Sequence, residues 1–209
     1  MLVVLDEPEP EAVTTGPDET PEAWKALTLG EIWETLTHRE WAATTVVGGA
    51  LAVASFVRYG AGAHAAVGAI LGLGLVWLSA IDHRRRRLPN IILLPAAGAI
   101  AVVVAVGERH HLVTHLAVGA IGWGILVVLA LVRPPGDMGV GDANLLFLIG
   151  VALGSRTIAA MVYTSGLVIA LSVYLVVRKT VWRKGKGLKE HIAFGPLLAL
   201  GAIIAYFTG

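Results

Sequence analysis

The chain contains no cysteine among its 209 residues. Disulfides, thiolate nucleophiles and cysteine-built zinc sites are thereby excluded. Charge is scarce as well: Asp, Glu, Lys and Arg make up 15% of the residues, against about 25% in soluble domains. Acidic residues are unevenly spread. Ten of the fifteen fall within residues 1–40, and only Asp82, Glu108, Asp137, Asp142 and Glu190 lie beyond. The start of the chain also lacks the basic opening, unbroken apolar core and small-residue cleavage site of a signal peptide.

Apolar residues are what the chain has most of. They make up 56% of it, and its mean hydropathy is +0.75. Runs of roughly 17–21 apolar residues recur, the length a bilayer core of about 30 Å asks of a helix. The fold class expected is an all-α polytopic membrane bundle of about seven transmembrane helices. The spans fall near 41–57, 61–81, 90–107, 112–132, 143–154, 157–177 and 192–208. Loops after the second, fourth and sixth spans hold Arg84, Arg85, Arg86, Arg87, Arg133, Arg178, Lys179, Arg183, Lys184, Lys186 and Lys189. The opposite loops hold Arg58, Arg109 and Arg156. The positive-inside bias places the first set in the cytoplasm, with the N-terminus inside. The expected location is the cytoplasmic (inner) membrane, with the Arg-rich loops facing anionic lipid headgroups.

Two domains are expected. Residues 1–40 form an acidic head, disordered over 1–22 because so few apolar side chains cannot offset chain entropy. Trp24, Leu27, Ile32, Trp33 and Leu36 follow near helical spacing, which suggests an interfacial helix over 23–39 or a partly ordered tether. Residues 41–209 form the membrane domain. Small-xxx-small pairs, Gly68 with Gly72 and Ala97 with Ala101, fit close helix packing in lipid.

Two carboxylates stand out against this background. Asp82 ends the second span and Asp142 begins the fifth, and the topology brings both to the cytoplasmic side. A carboxylate at a membrane boundary is costly to desolvate, so its default reading is functional. Two neighbouring carboxyl groups can share one proton. The ionised one then draws a proton from water while the neutral one donates to a carbonyl. That is the chemistry of an aspartic protease at the membrane surface. Such a pair titrates as a unit, so neither residue is assigned the fixed role of base. The fifth span is short: either the helix runs on past Ser155, or Asp142 lies recessed below the headgroups.

Gly139, Val140 and Gly141 frame Asp142. Glycine lets a backbone come close, so an exposed edge here could pair with an unwound substrate strand. The plainer reading is a turn with Asp142 as helix N-cap. Asp137 lies in an ordinary Pro-Gly turn. His83 reads as a solvated loop residue. His110, His111 and His115 lie near the other side, and His111 and His115 would share a helix face. Interfacial polarity explains them without metal, and no metal or other cofactor is expected. The basic stretch RKTVWRKGKGLKEH reads as an orientation signal, and no nucleic-acid partner is expected.

Three segments, in order, resemble the type IV prepilin and preflagellin peptidases, the GxGD membrane aspartic proteases. Asp82 with Leu88-Pro89-Asn90 and Pro95 looks like the first motif. Gly139-Val140-Gly141-Asp142 with Leu145 looks like the second. Phe194-Gly195-Pro196 with Leu198-Ala199 looks like a late Phe-Gly-Pro segment. The resemblance covers roughly residues 65–205. It implies that Asp82 and Asp142 are the catalytic pair, framed by Gly139, Val140, Gly141, Pro89, Asn90, Asn144, Phe194, Gly195 and Pro196. The substrates it implies are pilin-like precursors with a basic leader and an apolar helix. Asn144 stands where the family often has lysine, which bears on the pH optimum. The large family members also carry a cysteine-bearing insert and methylate the new N-terminus. A chain without cysteine is expected to cleave without methylating.

Two other functions use the same residues. A transporter or proton relay would want its ionisable groups near mid-membrane, whereas these acids cluster on one face. An inactive assembly scaffold would not need both aspartates.

Overall fold

The computed structural model describes residues 29–85, 88–132, 140–182 and 194–209, and every regular element among them is helical. The helices are α1 (Leu29–Thr35), α2 (His38–Tyr59), α3 (Ala63–Arg85), α4 (Asn90–Gly107), α5 (Leu112–Val132), α6 (Val140–Leu153), α7 (Thr157–Trp182) and α8 (Phe194–Thr208). Two 3₁₀ turns, Arg109–His111 and Gly154–Arg156, lead into α5 and α7. Helices α2 to α8 sit where the seven apolar runs lie. Length and composition alone qualify five stretches to cross a membrane: His38–Tyr59, Ala63–Arg85, Asn90–Gly107, Arg109–Val132 and Gly141–Val177. Phe194–Thr208 is a shorter apolar helix. The chain is therefore a polytopic helical membrane protein, with five qualifying stretches among the described residues against the seven crossings expected.

The stretch Gly141–Val177 holds both α6 and α7 and has 37 residues. A straight helix of that length would run about 55 Å, well beyond the bilayer core. It is interrupted at Gly154, whose φ is 55°. That left-handed conformation favours glycine, and a Cβ there would also sit 2.7 Å from His115 Nε2.

Most of the acidic head lies outside the described residues, and the expected helix over 23–39 does so in part. Within them the helix is Leu29–Thr35, and His38–Glu40 form the first turn of α2. A capping box explains this start. The Thr37 hydroxyl accepts from the Glu40 backbone N–H while Glu40 accepts from the Thr37 N–H, satisfying two otherwise orphaned donors. Glu40 also pairs with Arg84, which ties the start of α2 to the end of α3.

Small residues set the packing. Van der Waals contact is a main attraction between helices in lipid, so close approach counts for more than it does in water. Gly48 and Gly72 let α2 and α3 interdigitate, with Leu73 over one and Leu51 over the other. Gly119 of α5 lies directly against Gly150 of α6. The buried core gathers Leu71, Leu75 and Leu78 of α3, Leu93 and Ile100 of α4, Leu145 and Ile149 of α6, and Leu198 of α8. Val128, Leu131, Ile169 and Val173 of α5 and α7 are exposed, as apolar side chains are on helices that face lipid.

At the end of α3 and α8 remote from Asp82, Tyr206 joins three helices. Its hydroxyl lies 2.6 Å from Ser55 Oγ and 2.9 Å from the His64 carbonyl oxygen, and Ser55 Oγ donates to the Ala65 carbonyl at 2.9 Å. Tyr59 donates to the Tyr206 carbonyl at 2.6 Å. Gly68 leaves the room that the Tyr206 ring fills. Tyr206→Phe keeps the ring and removes the hydroxyl. It is expected to lower unfolding free energy by about 1–2 kcal/mol, read by denaturation in detergent. Unchanged stability would show that these contacts do not hold α8 to α2 and α3.

Candidate active site

The chemistry-bearing end of the bundle is built by four chain segments. Helix α3 delivers Asp82 three residues before its C-terminal Arg85. Asp82 is buried, with 8% of the residue exposed, beside fully buried Ile81. Ile81 packs with Ile32 and Leu36, so the segment around α1 covers α3 next to the aspartate. The second segment is the link into α4. Pro89 is the N-cap of α4, and its carbonyl accepts from the Ile92 and Leu93 N–H groups at 3.1 and 3.2 Å. A proline suits that place because it has no N–H to satisfy. Asn90, the first residue of α4, is exposed.

The third segment is the start of α6. Val140, Gly141 and Asp142 lie in its first turn. This differs from the expected loop with an open backbone edge and from Asp142 as N-cap. The helix begins before the aspartate, so the 140–142 backbone is in the first helical turn, and Gly141 uses no positive φ. Its missing side chain serves close approach instead: a Cβ there would lie 3.1 Å from Leu88 Cβ. An anionic Asp142 in the first turn also faces the favourable end of the helix dipole. Gly139 lies outside the described residues.

The fourth segment is the start of α8. A Cβ on Gly195 would lie 2.5 Å from Asp82 Oδ2 and 3.1 Å from its Cγ, so this buried glycine backs directly onto the Asp82 carboxyl group. Phe194 and Pro196, on either side, are half-buried. Leu88, three residues past the end of α3, lies against Gly141, so Asp82 and Asp142 lie at the same end of the bundle.

Asn144 lies one half-turn beyond Asp142. Its Nδ2 donates to Asn90 Oδ1 at 2.9 Å, and its Oδ1 accepts from Trp123 Nε1 at 2.8 Å. Trp123 was not among the residues that composition or motif singled out. A lone tryptophan inside an apolar run carries no local signal, and only the α5–α6 packing reveals its partner. Nine residues of α5, Gly124–Val132, continue past that contact, or about 13 Å of helix. Asn144 is itself about 6 Å into α6, so α5 runs about 7 Å past the α6 start and the site is set back by that much.

The remaining candidates lie elsewhere. His83 is exposed on the last turn of α3. His110 and His111 lie on the 3₁₀ turn before α5, and His115 Nδ1 is 2.8 Å from the Val151 carbonyl oxygen. Asp137 is outside the described residues.

Fold and site together define a helical membrane protein with two aspartates at one end of its bundle. The chain belongs to the type IV leader peptidase family, whose model matches residues 69–176. That range holds Asp82, Pro89, Asn90, Gly139–Asp142 and Asn144, and ends before Phe194. The chain is similar to the prepilin leader peptidase/N-methyltransferase of Burkholderia pseudomallei strain 1026b, at 31% identity over 77% of this chain and 52% of that protein. It is 30% identical to the protein of that name from Xanthomonas campestris pv. campestris, over 76% of this chain and 55% of the relative. For the Bacillus subtilis strain 168 protein of the same name the identity is 27%, over 80% and 65%. The chain spans about half the length of the first two. No solved structure gives a significant match.

Proposed function

We propose that this protein is an aspartic endopeptidase that removes the leader from pilin-like precursors at the cytoplasmic face of the inner membrane. What supports this reading is that Asp82 and Asp142 lie at one end of the bundle, with Leu88 packed on Gly141 and Gly195 leaving the Asp82 carboxyl group its space. The ionised carboxylate of the pair takes a proton from water, and the neutral one donates to the carbonyl oxygen at the cleavage site. Water oxygen bonds to the carbonyl carbon, the C–N bond breaks, and the departing amine takes a proton. The orientation rests on the positive-inside bias of the Arg- and Lys-bearing loops. Those loops face anionic headgroups, and the recessed site suits a cut just outside an apolar helix. Gly139, Val140, Gly141, Pro89, Asn90, Asn144, Phe194 and Pro196 frame the pair.

The relatives are named for two activities, and this chain has no cysteine. The reading is that it cleaves without methylating. The test is reconstitution in vesicles with a pilin-like precursor and S-adenosylmethionine, followed by mass spectrometry of the product. The expected product is the mature chain at its unmodified mass. A product heavier by one methyl group would overturn the second half of the proposal, and intact precursor would overturn the first.

A further inference from the structure

We infer that Trp123 is a positioning residue that, acting through Asn144, turns the Asn90 amide so that its NH2 group is presented to a backbone carbonyl of the precursor. The inference rests on the peptidase reading and deepens it.

Hydrogen-bond chemistry along the chain fixes the orientation. An indole N–H can only donate. Trp123 Nε1 lies 2.8 Å from the Asn144 side chain, so the atom it meets must be the amide oxygen. That leaves the Asn144 NH2 group toward Asn90, 2.9 Å away. A donor there requires an acceptor, so Asn90 turns its oxygen inward. Its own NH2 group then points away from Asn144, with no partner for either hydrogen among the described residues. One donor-only group at the end of the chain thus sets two amide orientations that would otherwise be free to flip.

The place of Asn90 gives this orientation a use. Asn90 is exposed and follows buried Pro89, and Leu88 packs on Gly141, the residue before Asp142. The amide therefore lies at the same end of the bundle as Asp82 and Asp142. A precursor cut just outside its apolar helix presents carbonyl groups that no helical turn satisfies, and an unsatisfied carbonyl at the membrane boundary is costly. An ionised carboxylate only accepts, so it cannot serve them, and an outward NH2 group can. The Asn144 position matters for the same reason. Lysine there would still donate to Asn90 but would offer Trp123 no acceptor.

The test uses the full chain in vesicles with a pilin-like precursor, and reads KM and kcat separately. Trp123→Phe keeps the ring and removes the N–H. It is expected to raise KM about tenfold, the equivalent of one hydrogen bond, with kcat within about twofold. Asn90→Asp still accepts from Asn144 but has no NH2 group, and it should raise KM at least as much. In an Asn144→Lys background Trp123→Phe should change nothing further, because the link it breaks is already gone. A Trp123→Phe protein with unchanged KM overturns the inference, and so does an equal loss in both backgrounds, which marks simple packing. Asn90→Asp with wild-type KM overturns it even if Trp123→Phe fails to fold. These outcomes leave aspartate-dependent cleavage intact. Cleavage that survives Asp142→Asn would instead sink the peptidase reading itself.

Discussion

Asp82→Asn and Asp142→Asn each reduce precursor cleavage by roughly 10³-fold or more. Asparagine matches aspartate in shape and can still hydrogen-bond, so the packing around Gly195 and the α6 start should survive. What disappears is the proton that the pair exchanges. With Asp82 replaced, Asp142 can still attract a water but has no carboxyl partner to protonate the carbonyl oxygen. With Asp142 replaced, the converse holds. The two residues act as one device, so the double variant should be scarcely worse than either single one, as groups working as a unit are grossly non-additive. Cleavage is measured by the size of the precursor on a gel, and folding by recovery from the membrane at the wild-type level. Cleavage at the wild-type rate in either variant would exclude that residue. Losses that multiply in the double variant would show two separate roles rather than one shared proton.

Much of this candidate site was legible in the sequence, for a definite reason. Carboxylates are so costly near lipid that Asp82 and Asp142 stand out with no structural knowledge, and the loop charges put them on one side. The helical runs were equally plain, since α4 and α5 are apolar over nearly their whole length. Contacts across the bundle were less so. Gly195 is one of 25 glycines, and nothing local says that it faces a carboxyl oxygen. Trp123 and Tyr206 look like ordinary members of apolar runs, yet each hydrogen-bonds to another helix. The start of α6 was misplaced because glycines on both sides of Val140 suggest a loop. Glycine is weak in helices, but tertiary packing overrides that preference, and here Leu88 lies where a side chain on Gly141 would go.

Gly195→Ala is expected to lower kcat by about 10²-fold while leaving the protein folded, a size typical of a displacement near 1 Å at a reacting group. The added methyl would lie 2.5 Å from Asp82 Oδ2, closer than carbon and oxygen can approach. Either the carboxyl group turns or α8 backs away. The α8 helix has little freedom to move. Tyr206 anchors its far end through Ser55, and Gly201 lies tight against Thr164 of α7. The carboxyl group therefore gives way and turns from the geometry it shares with Asp142. The control is Gly98→Ala, on a helix face of α4 where an added Cβ meets nothing within 4 Å. That variant should keep wild-type cleavage, with a small gain in stability from the better helix former. KM for the precursor should hardly change in Gly195→Ala, because the methyl touches the reacting group rather than the frame that holds the substrate. If kcat stays at the wild-type level, the Asp82 carboxyl group does not need this contact to work, and a position for it against α8 is wrong. If kcat and thermal stability fall together, the glycine serves assembly of α3 with α8 and says nothing about the chemistry.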